Sequence, residues 1–172
     1  MTIREALALH HAGRLSEAEA LYRQIIAAQP KNFHALHFLG VLRAQTGDMS
    51  GSVDLVRRAL VIQPNDPLAQ FHLAEALRAL NRHGEAAAAY GKAAALKPDF
   101  AEAFSGKAAM LVELKKWNDA LEAATRALSL KRDLYEAEIS RGLALHGLDR
   151  SVEALKAFER AIALQPRIRK PL

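Results

Sequence analysis

The 172-residue chain contains no cysteine, so it forms no disulfide and offers no thiol as nucleophile or metal ligand. Nowhere does it hold the roughly 20 consecutive apolar residues needed to cross a bilayer. Its first stretch, MTIREALALHHAGRLSEAEA, places Arg4, Glu5, His10, His11 and Arg14 where a cleavable leader needs an apolar run. The expectation is a cytoplasmic protein with no membrane partner. Aromatic residues are only 6% of the chain, and no basic run is interleaved with them as a single-strand nucleic-acid binder requires. The net charge of +5 owes much to Arg167, Arg169 and Lys170 near the end. The remainder is close to balance, which argues against nucleic acid.

Signatures of chemistry are equally scarce. There is no G-x-S-x-G, no P-loop lysine motif and no G-x-G-x-x-G following a strand. Carboxylates are plentiful but scattered over what read as solvated helix faces, so paired acid–base work has no support. No enzymatic activity and no cofactor are expected.

What the chain does contain is alanine and leucine in abundance, with 51% hydrophobic and 25% charged residues. That is globular composition, and it favours an all-α protein. Self-similarity then organises it. Pro30, Pro64, Pro98 and Pro166 are spaced by 34, 34 and twice 34 residues, and the missing member of the series is Arg132, within the matching stretch SLKRD. Other columns keep the same step. Ala18, Ser52, Ala86, Ala120 and Ala154 are small, as are Ala6, Gly40, Ala74, Ala108 and Gly142. Ile25, Ala59, Ala93, Ala127 and Ala161 form a third column, and Tyr22, Val56, Tyr90, Ala124 and Phe158 a mostly bulky fourth. Small residues at fixed places let helices approach closely, and the bulky column fills the remaining gap.

Each unit breaks near its middle, at Gly13, Gly47, Asn81, Lys115 and Asp149. Glycine and asparagine tolerate the left-handed conformation that ends a helix, so the first three read as good stops. Ser16, Ser50, Gly84, Asn118 and Ser151 follow and read as caps of the next helices, with Ser16 and Glu19 at capping-box spacing. Asp66 before Pro67 reads as a cap and a first helical residue. Each unit is thus two antiparallel helices of about 12–14 residues. Such a pair cannot bury both faces alone, so neighbours stack into a solenoid.

The spacing Ala18-x3-Tyr22-x2-Ile25-x4-Pro30, and Leu39-Gly40 with Ala59 and Pro64, resembles the tetratricopeptide repeat. The resemblance covers residues 2–166 in five registers. It implies a right-handed superhelical solenoid spanning 1–166, with units about 1–32, 33–66, 67–100, 101–134 and 135–168, followed by a basic tail at 167–172. Arg43, Lys107 and Arg141 depart from the pattern, where apolar residues are expected, and suggest snorkelling side chains.

In this family the first helices of successive units line a concave groove. The resemblance therefore implies a partner-binding set of His34, His37, Val41 and Gln45 from unit two, and Leu68, Phe71, Glu75 and Arg78 from unit three. Glu102, Ser105, Val112 and Glu113 follow from unit four, and Glu136, Ile139 and His146 from unit five. The early part mixes histidines with apolar side chains and the later part is acidic. The expected partner is a protein or peptide segment with apolar anchors and basic residues beyond them. His34 and His37, three apart on one helix, also have the spacing of a metal-ligand pair, but a site needs further ligands, and His72, His10 or Glu75 would join them only through favourable geometry between repeats. They read as groove wall.

The lysine–asparagine clamp of chaperone-tail adapters is not matched: His37, Val41, Phe71, Glu75, Glu102 and Ser105 occupy its places. Nor is the asparagine ladder of the superhelices that precede protein O-glycosyltransferase domains, whose column here is Phe38, His72, Gly106 and Ser140. A general similarity to those superhelices leaves open the recruiting region of a larger transferase. A third expectation is self-assembly. Leu155, Phe158 and Ile162 on the last helix face where another helix should lie, and an uncovered apolar stripe invites association or a missing neighbour.

Overall fold

The computed structural model describes residues 2–165, and among them ten α-helices and no strand. The expected basic tail lies outside the described residues. The chain divides into two compact units, Met1–Asn81 and Arg82–Leu172. The first holds α1 (Ile3–His11), α2 (Leu15–Ala28), α3 (Phe33–Gln45), α4 (Met49–Ile62) and α5 (Pro67–Ala79). The second holds α6 (His83–Leu96), α7 (Ala101–Glu113), α8 (Trp117–Leu130), α9 (Tyr135–Gly147) and α10 (Ser151–Leu164).

Every mid-unit break is a left-handed residue. Gly13 and Gly47 have φ of 74° and 89°, and Asn81, Lys115 and Asp149 have 56°, 57° and 60°. Lys115 and Asp149 thus adopt this turn despite carrying a Cβ. The following helix starts at once, and this displaces the caps. The N-cap positions are Arg14, Asp48, Arg82, Lys116 and Arg150, not the Ser, Gly and Asn residues that follow them. Only Asp48 of these caps with its side chain, accepting from the Gly51 amide at 2.9 Å. Ser16 and Glu19 make no capping box; that motif occurs at Thr2 and Glu5 instead. The arginine caps find another use. Arg14, Arg82 and Arg150 each reach a glutamate three residues on, Glu17, Glu85 and Glu153, which places a carboxylate in the helix's first turn. Before α5 capping follows expectation, Asp66 accepting from Ala69 N–H at 2.7 Å with Pro67 opening the helix. Asn32 caps α3 likewise, accepting from Ala35 N–H at 3.0 Å, whereas Phe100 and Leu134 before α7 and α9 make no side-chain cap.

The columns meet as their sizes require. In the first unit Ala6, Ala18, Tyr22, Ile25, Ala35, Leu39 and Leu42 form one cluster. Gly40 abuts α4 so closely that a Cβ there would fall 2.6 Å from Val56 Cγ2. In the second unit a Cβ on Gly142 would sit 2.5 Å from the Phe158 ring, and one on Gly106 would sit 2.5 Å from Tyr90. Phe158 therefore packs against α9 with Leu145, Ala154 and Ala157 and is only half-buried, a correction to its expected place in an open stripe. Leu155 and Ile162 do stand out, 59% and 70% exposed, together with Val152 at 72%.

Two of the three anomalous basic residues are held by acids. Arg43 Nη2 lies 2.8 Å from Glu19 on α2, and Nη1 lies 3.3 Å from Asp48 before α4. It ties three elements while only 27% of its side chain is exposed. Arg141 pairs with Glu138 on its own helix. Lys107 is half-buried, its stem beside Gly91 of α6.

Candidate functional site

The first unit presents α3 and α5 side by side. Along α3, Phe33 and Phe38 bracket His37 with ring centroids 5.5 and 5.2 Å away, the Phe38 ring stacked at 15°. His37 is 2% exposed, and its Nε2 lies 2.8 Å from Nδ1 of His72 on α5. One imidazole donates and the other accepts, so the dyad is satisfied only while both rings are neutral or share one proton. Burial, with His72 and His34 adding repulsion and Asp66 opposing, pushes His37 down to about 4. Burial lowers His72 as well, against the pull of Asp66. His34, one turn earlier, is exposed and stacks on Phe38 at 6.2 Å. The pair that looked like one surface is therefore split: His34 faces outward and His37 is a buried spacer between helices. Among the described residues no cluster of three or more histidine, aspartate or glutamate side chains is placed to hold a metal ion.

A second contact repeats the same relation. His10 Nε2 lies 2.8 Å from Gln45 Oε1, and its Nδ1 lies 3.2 Å from the hydroxyl of fully buried Tyr22. If Nε2 donates to the amide oxygen, Nδ1 accepts from the phenol, so both ring nitrogens are satisfied. Burial pushes the Tyr22 hydroxyl up to about 12, so it remains a donor at any physiological pH. His10 with Gln45, like His37 with His72, couples residues 35 apart. A first helix thus touches the next first helix one repeat plus one residue on. Column-by-column reading at a step of 34 does not pair these residues, although the offset was there to be found.

The rest of the first unit's implied set divides by exposure. Leu68, 45% exposed, and Glu75 are open, as is Gln45; Val41, Phe71 and Arg78 are half-buried. Beside His34 a cleft of about 590 Å³ opens between the ends of α2, α3 and α4, lined by Pro30, Asn32, Phe33 and Ile62. It was not anticipated, because it is built from the turn between the first two repeats, inside the first unit.

In the second unit the implied residues lie on α7 and α9. Glu102 and Glu113 are exposed on α7, and His146 is exposed on α9. Val112, Glu136 and Ile139 are half-buried. Ser105 is 3% exposed, its hydroxyl without a hydrogen-bond partner, so it is interior and not part of an open face. Glu102 Oε1 stands 3.3 Å from Lys131 Nζ, an exposed pair that contributes at most about 1 kcal/mol.

Comparison with known proteins fits this geometry. The curated proteins give no match. Among solved structures, the chain superposes on the crystal structure of MamA at a TM-score of 0.85 and 23% identity, covering 93% of this chain and 94% of that one. A MamA fragment from Desulfovibrio magneticus RS-1 gives 0.85 at 17% identity, over 94% and 92% of the two chains. YrrB, described as a TPR protein with an unusual peptide-binding site, gives 0.87 at 19% identity, over 96% and 85%. These likenesses establish the fold. The tetratricopeptide repeat model matches residues 3–67, 63–101, 71–134 and 105–167, nearly the whole chain and in step with the helix pairs. Helix pairs of one length after the shorter α1, left-handed breaks at one spacing and small-on-large columns are what such a repeat demands, and the chain belongs to the tetratricopeptide repeat family.

Proposed function

We propose that the chain is a protein-interaction scaffold, without catalysis of its own, that binds a polypeptide segment on the faces of its first helices. The observation that carries this reading is the composition of the α3–α5 face. Exposed His34, Leu68 and Glu75 share α3 and α5 with half-buried Val41 and Phe71, and the two helices are joined by the part-buried His37–His72 contact. An apolar centre with a polar rim is the usual anatomy of a recognition surface. Because its side chains are fixed by packing before a partner arrives, little ordering cost remains to be met on binding. The α7–α9 face offers Glu102, Glu113 and Glu136 beside Val112 and Ile139, which favours a segment carrying basic residues next to apolar anchors. YrrB's described peptide-binding site supports the same reading by likeness of fold. The test is titration with a basic–apolar peptide at two salt concentrations. Glu75→Lys, Glu102→Lys and Glu113→Lys together should weaken binding and flatten its salt dependence; unchanged affinity and salt response would refute it.

Self-association is the second reading, favoured by Val152, Leu155 and Ile162 standing exposed along α10. Light scattering at high protein concentration tests it: assembly lost in Leu155→Glu with Ile162→Glu supports it, and a strict monomer defeats it.

A further inference from the structure

Three departures from the repeat pattern converge on one place in the second unit. Arg132 stands in the column otherwise occupied by Pro30, Pro64, Pro98 and Pro166. Glu138 stands in the column of Leu36, Gln70 and Phe104, and Arg141 in that of Leu39, Leu73 and Lys107. All three line a cleft of about 520 Å³ bounded by α8, α9 and α10, whose third arginine is Arg160. A repeat needs none of these charges to stack, and burying an ion pair in place of apolar residues costs stability.

The floor of the cleft is buried and unfinished. Glu138 is 4% exposed, and Arg141 Nη2 lies 2.8 Å from its Oε2. That contact is an ion pair by distance but lacks the alignment of a hydrogen bond. Both Glu138 Oε2 and Arg141 Nε are left without a hydrogen-bond partner. Arg132 and Arg160, both exposed, have no carboxylate partner among the described residues. Thr125 and Ser129 on the α8 wall donate their hydroxyl protons to Leu121 O and Arg126 O, both at 2.7 Å. The guanidinium groups are therefore the donors the cleft has to spend. Three arginines against one glutamate leave a formal charge of +2.

An adjacent cleft between α7 and α8, which shares Thr125 and Ser129 with this one, gives an internal comparison at three positions one repeat earlier. It holds about 660 Å³ and places Phe104, Lys107 and Arg126 where the later one has Glu138, Arg141 and Arg160. There Arg126 lies 5.8 Å over the Phe104 ring and donates to Pro98 O at 3.2 Å, and Asp119 and Glu122 balance the two cations. That cleft is neutral and its arginine is committed. The later cleft is neither.

We propose that the Arg132–Arg141–Arg160 cleft binds a phosphomonoester dianion. The guanidinium fork matches its oxygens, and a group carrying about −1.5 to −2 at neutral pH complements the excess charge of the lining. Glu138 holds Arg141 at the floor, and Arg132 and Arg160 close from the rim. The volume falls in the range of small-ligand pockets, so the ester's carbon side fits with the phosphoryl group. The site lies on a different face of α9 from Glu136 and Ile139 and does not depend on the proposed peptide-binding role.

Calorimetric titration of the full chain tests this with phenyl phosphate, AMP, and a phosphoserine peptide beside its unphosphorylated form. Phenyl phosphate should bind, and Arg132→Ala and Arg160→Ala should each weaken it about tenfold, the effect of losing one charge-assisted contact. Arg126→Ala, in the earlier cleft, should change nothing. Tighter binding of AMP identifies a free metabolite as the source, and tighter binding of the phosphoserine peptide identifies a modified protein. No binding of phenyl phosphate, or binding indifferent to both arginine variants while their thermal melts match the parent, overturns the proposal.

Discussion

His37 Nε2 and His72 Nδ1 meet at 2.8 Å inside the first unit, joining α3 to α5 through two side chains that are both ordinary titrating groups. A neutral dyad supplies one donor and one acceptor. A doubly protonated dyad would set two donors and two charges against each other in a buried place.

Stability should therefore depend on pH in a definite window. His37 falls from its ordinary 6.5 to about 4 in the folded chain, and His72 is lowered too. Between these limits the unfolded chain binds protons that the native state refuses, so stability drops as pH falls from about 6.5 to about 4. Above that window this contribution is flat. The loss attributable to His37 amounts to up to about 3 kcal/mol. Urea unfolding at pH 7.5, 5.5 and 4.5 measures it, and His37→Leu with His72→Leu should flatten the profile.

The left-handed turn at Lys115 predicts a stabilising change. A side chain at φ 57° costs on the order of 1 kcal/mol, part of which glycine's unfolded-state entropy takes back. Lys115→Gly should raise stability by about 0.5 kcal/mol. Lys92, exposed in the interior of α6, has no such strain, so Lys92→Gly should lower it by about 1 kcal/mol. Denaturant midpoints of the two variants should move in opposite directions.

Close approach of α9 and α10 predicts the reverse at Gly142. A Cβ there meets the Phe158 ring at 2.5 Å, and overpacking of this kind costs about 1–3 kcal/mol. Gly142→Ala should destabilise by that amount. Phe158→Leu should be less harmful in the Gly142→Ala background than alone, since the two residues share one space. Additive effects in a double-mutant cycle would show that the helices yield instead.

How much of this could be read beforehand depends on whether one column or two were involved. Gly13, Gly47, Asn81, Lys115 and Asp149 announce the breaks because each acts alone, through its own backbone, at a step of 34. Gly142 and Phe158 were legible as a small column and a large one. The caps were misplaced by two residues or one, because the left-handed residue and the N-cap are adjacent and leave no room for a separate capping serine. His37 and Ser105 were placed on an open face, yet each is buried, His37 against His72. Reading at a step of 34 hides a contact made at 35. Arg132 and Arg141 looked like separate lapses and Glu138 drew no notice, because only the packing of α8, α9 and α10 brings the three columns to one cleft.

Recognition of polypeptide by the first-helix faces is tested most directly by mapping a bound basic–apolar peptide onto backbone amide resonances. The account predicts shifts at His34, Leu68, Phe71 and Glu75, with Ile139 and Glu136 responding in the second unit, and their loss in Phe71→Ala with Glu75→Lys. Shifts confined to α8 and α10, with those first-helix amides unmoved at saturation, would contradict it.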